Sequence, residues 1–164
     1  MPPARRKQPD PATRAVRKRQ LLERFEQAED QWGAAMRAHR VAPPDLGFAS
    51  RLRALGEAAA AEAAVCRDAV QLGLAWRPIP GAENAEPPYE LRPGTGRRGP
   101  EDLWAQFDAA VARLNQAITG SDAAAVSDAF GGVAEAAAEL ADAVDREDQA
   151  AREASSRARA RGAA

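Results

Sequence analysis

Cysteine and histidine occur once each, at Cys66 and His39, and that scarcity limits the chemistry open to the chain. One thiol cannot build a cysteine-based zinc cluster or an intramolecular disulfide, and one imidazole cannot build a multi-histidine metal site. A nucleophilic Cys66 would need a neighbouring base, and His39 is the sole histidine able to serve. Both residues also have plainer readings. Cys66 falls in an apolar helical stripe, where a thiol behaves as a small core group. His39 sits near a helix end, where the C-terminal dipole favours it. The acidic neighbours Glu101–Asp102 and Glu147–Asp148 fall at helix ends and read as capping and solvation, not as acid/base pairs. Neither catalysis nor a cofactor is expected.

The string Gly94-Thr95-Gly96-Arg97-Arg98-Gly99 has the form of a dinucleotide-binding loop. That loop works only after a strand, inside a βαβ unit, with a helix N-terminus free to face pyrophosphate. Here Pro93 precedes the string, no parallel sheet is in prospect, and Glu101-Asp102 would repel phosphate. Arg97 and Arg98 with flexible backbone amides are a candidate for looser anion or partner contact. In the same segment, Trp76, Tyr89 and Leu91 are large apolar groups that either pack the loop onto the body or anchor a partner.

Seven basic groups lie in residues 1–20: Arg5, Arg6, Lys7, Arg14, Arg17, Lys18 and Arg19, against Asp10 alone. Arg14, Arg17 and Lys18 share one side of a helix, and the stretch is the candidate nucleic-acid contact. Counterion release there would give salt-dependent, sequence-neutral binding, although no aromatics interleave to stack bases. Attraction to the acidic fourth helix, or simple solubility, explains the same charge. A DNA-binding helix-turn-helix around Thr119-Gly120-Ser121-Asp122 fails on charge, because Asp122, Asp128, Glu135, Glu139 and Asp142 would oppose the backbone phosphates. Membrane-surface binding is also disfavoured, since the large apolar residues begin only at Leu21.

The elements that would position these groups are helical throughout. β-branched and aromatic residues are sparse, and no stretch alternates as a strand would. A first helix of about 11–40 opens at Asp10-Pro11 and carries the stripe Leu21/Leu22, Phe25, Ala28, Trp32, Ala35/Met36. A second, about 45–76, carries Phe48, Leu52, Leu55, Ala59, Ala63, Cys66, Val70 and Leu74. Pro43-Pro44 separates the two and implies a hairpin. Residues 77–100 contain six prolines and four glycines, which no helix tolerates. A third helix, about 100–119, carries Leu103, Phe107, Val111, Leu114 and Ile118, flanked by Trp104. Ser121 caps a fourth, about 121–148, with Val126, Phe130, Val133, Ala137, Leu140 and Val144. Residues 1–9 read as a basic flexible arm, and 149–164 as a fraying helix or disordered tail.

Four stripes that must be buried together predict an all-α antiparallel four-helix bundle, made of two helical hairpins joined by the long Pro/Gly loop at 77–99. At 164 residues the chain is one domain with net charge −1, so its total charge names no partner. The blocks are more informative: residues 121–148 carry a net of −7 and the last sixteen a net of +3. Only Lys7 and Lys18 are lysines, a skew that, with the heavy alanine content, suits a GC-rich bacterial genome. There is no apolar run of membrane-spanning length, and the N-terminus lacks a signal-peptide apolar region. The expectation is a cytoplasmic, non-enzymatic protein that acts through protein–protein interaction and is open to homodimerisation, its seams being thin and alanine-rich. The alternatives are a nucleic-acid-associated regulator using the basic stretch, and a small-ligand sensor with a pocket near Trp76, Trp104 and Arg97.

Overall fold

The computed structural model describes residues 10–41, 47–73, 98–120 and 122–162, with the side chains of Arg40 and Val41 excepted. Every regular element among them is a helix: α1 (Pro11–Val41), α2 (Phe48–Gln71), α3 (Glu101–Ile118) and α4 (Ala123–Gly162).

Local chemistry sets the helix ends. Asp10 accepts the Thr13 backbone N–H at 2.6 Å, which satisfies an orphan donor of the first turn and holds the Asp10 carboxyl below its ordinary pKa. α2 stops at Gln71, five residues before the expected end, because Gly73 takes a positive φ of 68° that L-residues avoid. Its terminal amides turn back, Leu72 to the Asp68 carbonyl at 3.1 Å and Gly73 to that of Val70 at 3.0 Å. Pro100 is the cap of α3 rather than its first residue. At the start of α4, Asp122 accepts the Ala124 amide at 3.0 Å, so a capping contact comes from the residue after Ser121, which lies outside the described residues.

α4 continues to Gly162, well past the expected end near 148. Residues 149–162 are rich in alanine and arginine, both strong helix formers, and they prolong the helix without burying any side chain.

α1 packs on α2, α2 on α4, and α3 on α4, so the helices follow one another in space as α1–α2–α4–α3. Small residues explain the central pair. Gly56 of α2 lies so close to α4 that a Cβ there would sit 3.3 Å from the Ala134 carbonyl oxygen and 3.4 Å from Ala137 Cβ. The buried Ser127 hydroxyl of α4 donates to the Ala63 carbonyl of α2 at 2.8 Å. Large aromatics bridge the remaining gaps. Trp32 of α1 meets Phe130 of α4, and Phe48 of α2 lies 6.0 Å from Trp104 of α3. Leu52, Leu55, Phe107, Leu114, Phe130 and Leu140 complete one continuous core. Trp104 belongs to that core and does not flank it. Val70 departs from the expected stripe in the other direction: it is 42% exposed, because the buried line of α2 passes through Cys66 and Ala69 instead.

Candidate functional site

Asp10 and Pro11 start α1 early enough for its basic first turns to reach the end of α2. Arg14 donates to the Leu72 carbonyl at 3.1 Å, a C-terminal helix carbonyl that lacks an intrahelical partner. Arg24 pairs with Asp68 at 2.5 Å. Between these contacts lies an open groove of about 610 Å³, lined by Arg17, Gln20, Leu21, Arg24, Asp68, Gln71 and Leu72. Lys18 and Arg19 are exposed beside it. Of the seven basic candidates, Arg14 is therefore engaged within the fold, Arg17 lines a groove, and Lys18 and Arg19 face solvent. Arg5, Arg6 and Lys7 lie outside the described residues.

The glycine-rich string ends in an anchor. The Arg98 guanidinium pairs with Asp148 of α4, and the Arg98 carbonyl accepts the Trp104 indole N–H at 2.8 Å. Gly99, at φ 110°, is pressed against α4: a Cβ would lie 3.0 Å from Leu140 Cδ1 and 3.2 Å from Val144 Cγ2. Arg98 and Gly99 thus dock the start of α3 on α4. Asp148, expected as a solvated helix-end acid, is an ion-pair partner. Trp104, one of the three residues named for a ligand pocket, packs on Phe48 and Phe107 and donates to the Arg98 carbonyl. Trp76, Tyr89, Leu91 and Arg97 lie outside the described residues.

A site that the sequence reading passed over sits between α1 and α2. Glu62 is fully buried, and among the described residues its carboxyl meets no hydrogen-bonding group other than the facing carboxyl of Glu29. Across the interface is Glu29, half-buried, with one oxygen also enclosed and its carboxyl within hydrogen-bond reach of Glu62. Burial first, and the neighbouring Glu29 second, push the Glu62 carboxyl up to about 10. Glu29 is raised as well, again chiefly by burial. The signal was present: Leu55, Ala59, Glu62, Cys66 and Ala69 recur at spacings of four and three, which places Glu62 on the buried stripe. It was hidden inside the run Ala58–Ala64, where a lone acid reads as a solubilising interruption.

Cys66 follows one turn later, fully buried. Burial and the two nearby glutamates drive its thiol upward, away from the reactive thiolate. His39 also corrects its expected role. Its ring stacks on Phe48 at 5.8 Å, and burial together with Arg51 lowers its pKa, so it serves as a neutral packing group and not as a cation on a helix dipole. No group of three or more His, Cys, Asp or Glu gathers as a metal site among the described residues. None of the described helices is long and apolar enough to cross a membrane.

The last feature is the outer part of α4. Residues 149–162 are exposed on every side and carry Arg152, Arg157, Arg159 and Arg161 against Glu153 alone. The chain matches no protein-family model, no curated protein and no solved structure.

Proposed function

We propose that the chain is a non-enzymatic helical-bundle protein that works by contact with another protein, and that the exposed outer stretch of α4 makes that contact. The observation that carries this reading is the fourteen-residue run from Gln149 to Gly162, helical but exposed throughout. Isolated helices of this length are marginal in water, and most helices in proteins draw their stability from packing. A helix with nothing to pack against, and with arginine as its main functional group, suits an acidic protein surface. Guanidinium groups there make bidentate, salt-sensitive contacts with carboxylates.

The frame behind this arm is, in the same reading, an antiparallel bundle. Three registers support it: α1–α2 contacts pair 14 with 72 and 24 with 68; α2–α4 contacts pair 53 with 142 and 63 with 127; and Arg98, before α3, pairs with Asp148. A cytoplasmic setting accords with the single buried thiol.

The test is affinity capture from extracts of the source organism with two baits, the full chain and the chain ending at Asp148. A protein retained by the first, lost from the second, and released by moderate salt supports the proposal. Equal capture by both baits overturns it. A second reading, nucleic-acid association through the basic start of α1, is favoured by the exposure of Lys18 and Arg19. Retarded DNA mobility that disappears in moderate salt, and on deletion of residues 1–20, supports it; unchanged mobility at low salt excludes it.

A further inference from the structure

The α1–α2 interface contains a polar group that packing does not require. Glu62 lies in the middle of an alanine run, fully enclosed, and among the described residues its carboxyl is met only by the carboxyl of Glu29, to which it can donate while it holds its proton. An uncompensated buried charge is among the most unfavourable arrangements in a protein interior, so a group in this position keeps its proton. The residue facing it makes ionisation harder still. Glu29 of α1 is a second carboxylate, with Asp30 beside it.

Among the described residues, no cation on the other elements compensates Glu62. On α2 itself the next ionisable neighbour is Cys66, and Asp68, further along, is already paired with Arg24 of α1. On α4, Ser127 gives its hydroxyl to the Ala63 carbonyl, while Asp142 and Asp145 are engaged with Arg53, more than two turns away. α3 meets α2 through the neutral pair Trp104 and Phe48.

We propose that Glu29 and Glu62 form a proton-controlled latch between α1 and α2: while Glu62 holds its proton α1 stays seated, and loss of that proton releases α1 from the α2–α4 pair. Ionisation places a negative charge in an apolar seam beside an acidic neighbour, and water is the only relief. Lifting α1 hydrates both carboxyls at once. It leaves the close α2–α4 contact through Gly56 and Ser127 intact. The direction of pH dependence follows from linkage. The seated form holds the proton up to about pH 10, whereas a hydrated Glu62 would release it near 4.5. Across that window the released form binds fewer protons, so rising pH favours release. The latch is a property of the fold and does not depend on which partner α4 contacts.

Hydrogen exchange on the full chain from pH 6 to 9, corrected for intrinsic exchange rates, tests the latch. Protection of residues 21–36 is expected to fall by up to about tenfold per pH unit, while residues 126–144 stay protected. Glu62→Gln removes the ionisation, and protection of residues 21–36 should then be level with pH. Glu62→Met, an apolar side chain of similar length, serves the same purpose if the amide variant does not fold. The proposal is overturned if protection of residues 21–36 does not vary with pH, if the folded variant keeps the native slope, or if residues 126–144 lose protection in step with α1.

Discussion

The indole of Trp32 meets the ring of Phe130 edge-on, with centroids 5.4 Å apart and planes at 89°. Trp32 belongs to α1 and Phe130 to α4, two helices whose backbones do not come close. The pair therefore spans the gap left beside α2 and joins the outer helix to the central pair. Edge-to-face geometry suits the aromatic quadrupole, and such pairs contribute about 0.5–1.5 kcal/mol beyond the area they bury. Trp32→Leu, Phe130→Leu and the double variant should show a coupling energy in that range by chemical denaturation. Strict additivity would remove the bridging role.

Glu62→Gln should stabilise the chain at neutral and alkaline pH. The buried acid has a folded pKa far above its unfolded value, so its contribution is fully present below about pH 4.5 and is lost progressively as pH rises toward about 10, by at most about 1.4 kcal/mol per unit. The variant should gain on the order of 2 kcal/mol at pH 8 and much less at pH 5. Urea titrations at the two pH values measure the difference, and an equal effect at both would contradict it.

His39 acts on the acid side with the opposite sign. Burial and Arg51 lower its folded pKa below the ordinary 6.5, so the unfolded chain takes up the proton first as pH falls. Stability from this group is complete above about pH 6.5 and is lost on acidification through the lowered value. His39→Phe preserves the stacking on Phe48 and should flatten the loss between pH 6.5 and 5. Thermal melts of the two proteins across that range give the comparison.

Glycines in similar sequence settings should respond in different directions. A Cβ at Gly131 or Gly132 meets no atom within 4 Å, so alanine there should add about 0.5–1 kcal/mol by reducing backbone freedom in the unfolded chain. Gly56→Ala gains the same helix propensity but crowds the Ala134 carbonyl, leaving little net change. Gly99→Ala combines an unfavourable φ with a Cβ 3.0 Å from Leu140 Cδ1, and should cost about 1–3 kcal/mol. Denaturation midpoints of the four variants check the ranking.

Ending the chain after Asp148 should leave the unfolding midpoint within about 0.5 kcal/mol of the full chain, since residues 149–162 bury nothing. Helical circular dichroism should fall by an amount matching the lost segment. A large loss of stability would mean that the outer part of α4 packs against the body.

Spacing made the helices legible. Phe25 and Trp32 in α1, Leu52 and Leu55 in α2, Phe107 and Leu114 in α3, and Phe130 and Leu140 in α4 are all buried, because three-and-four periodicity alone places them on one face of a helix. Scarcity was equally plain in its consequences: one cysteine and one histidine exclude a cysteine-based zinc cluster and a multi-histidine metal site by count alone. The candidate sites were less legible. Arg14 and Arg98 read as free cations along the chain, yet Arg14 meets a carbonyl 58 residues away and Arg98 a carboxylate 50 residues away.

What the sequence by itself determined is the helical character, the apolar stripes and the uneven distribution of charge, all of which depend on neighbours within a turn or two. The tertiary structure decided which helices meet. It set α2 against α4 because glycine and small side chains occupy both surfaces, and it turned Val70 outward and Trp104 inward. It also gave Glu62 its meaning. An acid in an alanine run is solvated or buried according to what lies opposite, and only the packing of α1 put Glu29 there. Cys66 and His39, the two residues whose chemistry first invited attention, are packing groups, the first fully buried and the second half-buried. Burial, which the apolar stripe foretold for Cys66 and only the packing on Phe48 set for His39, moves both pKa values toward the neutral form.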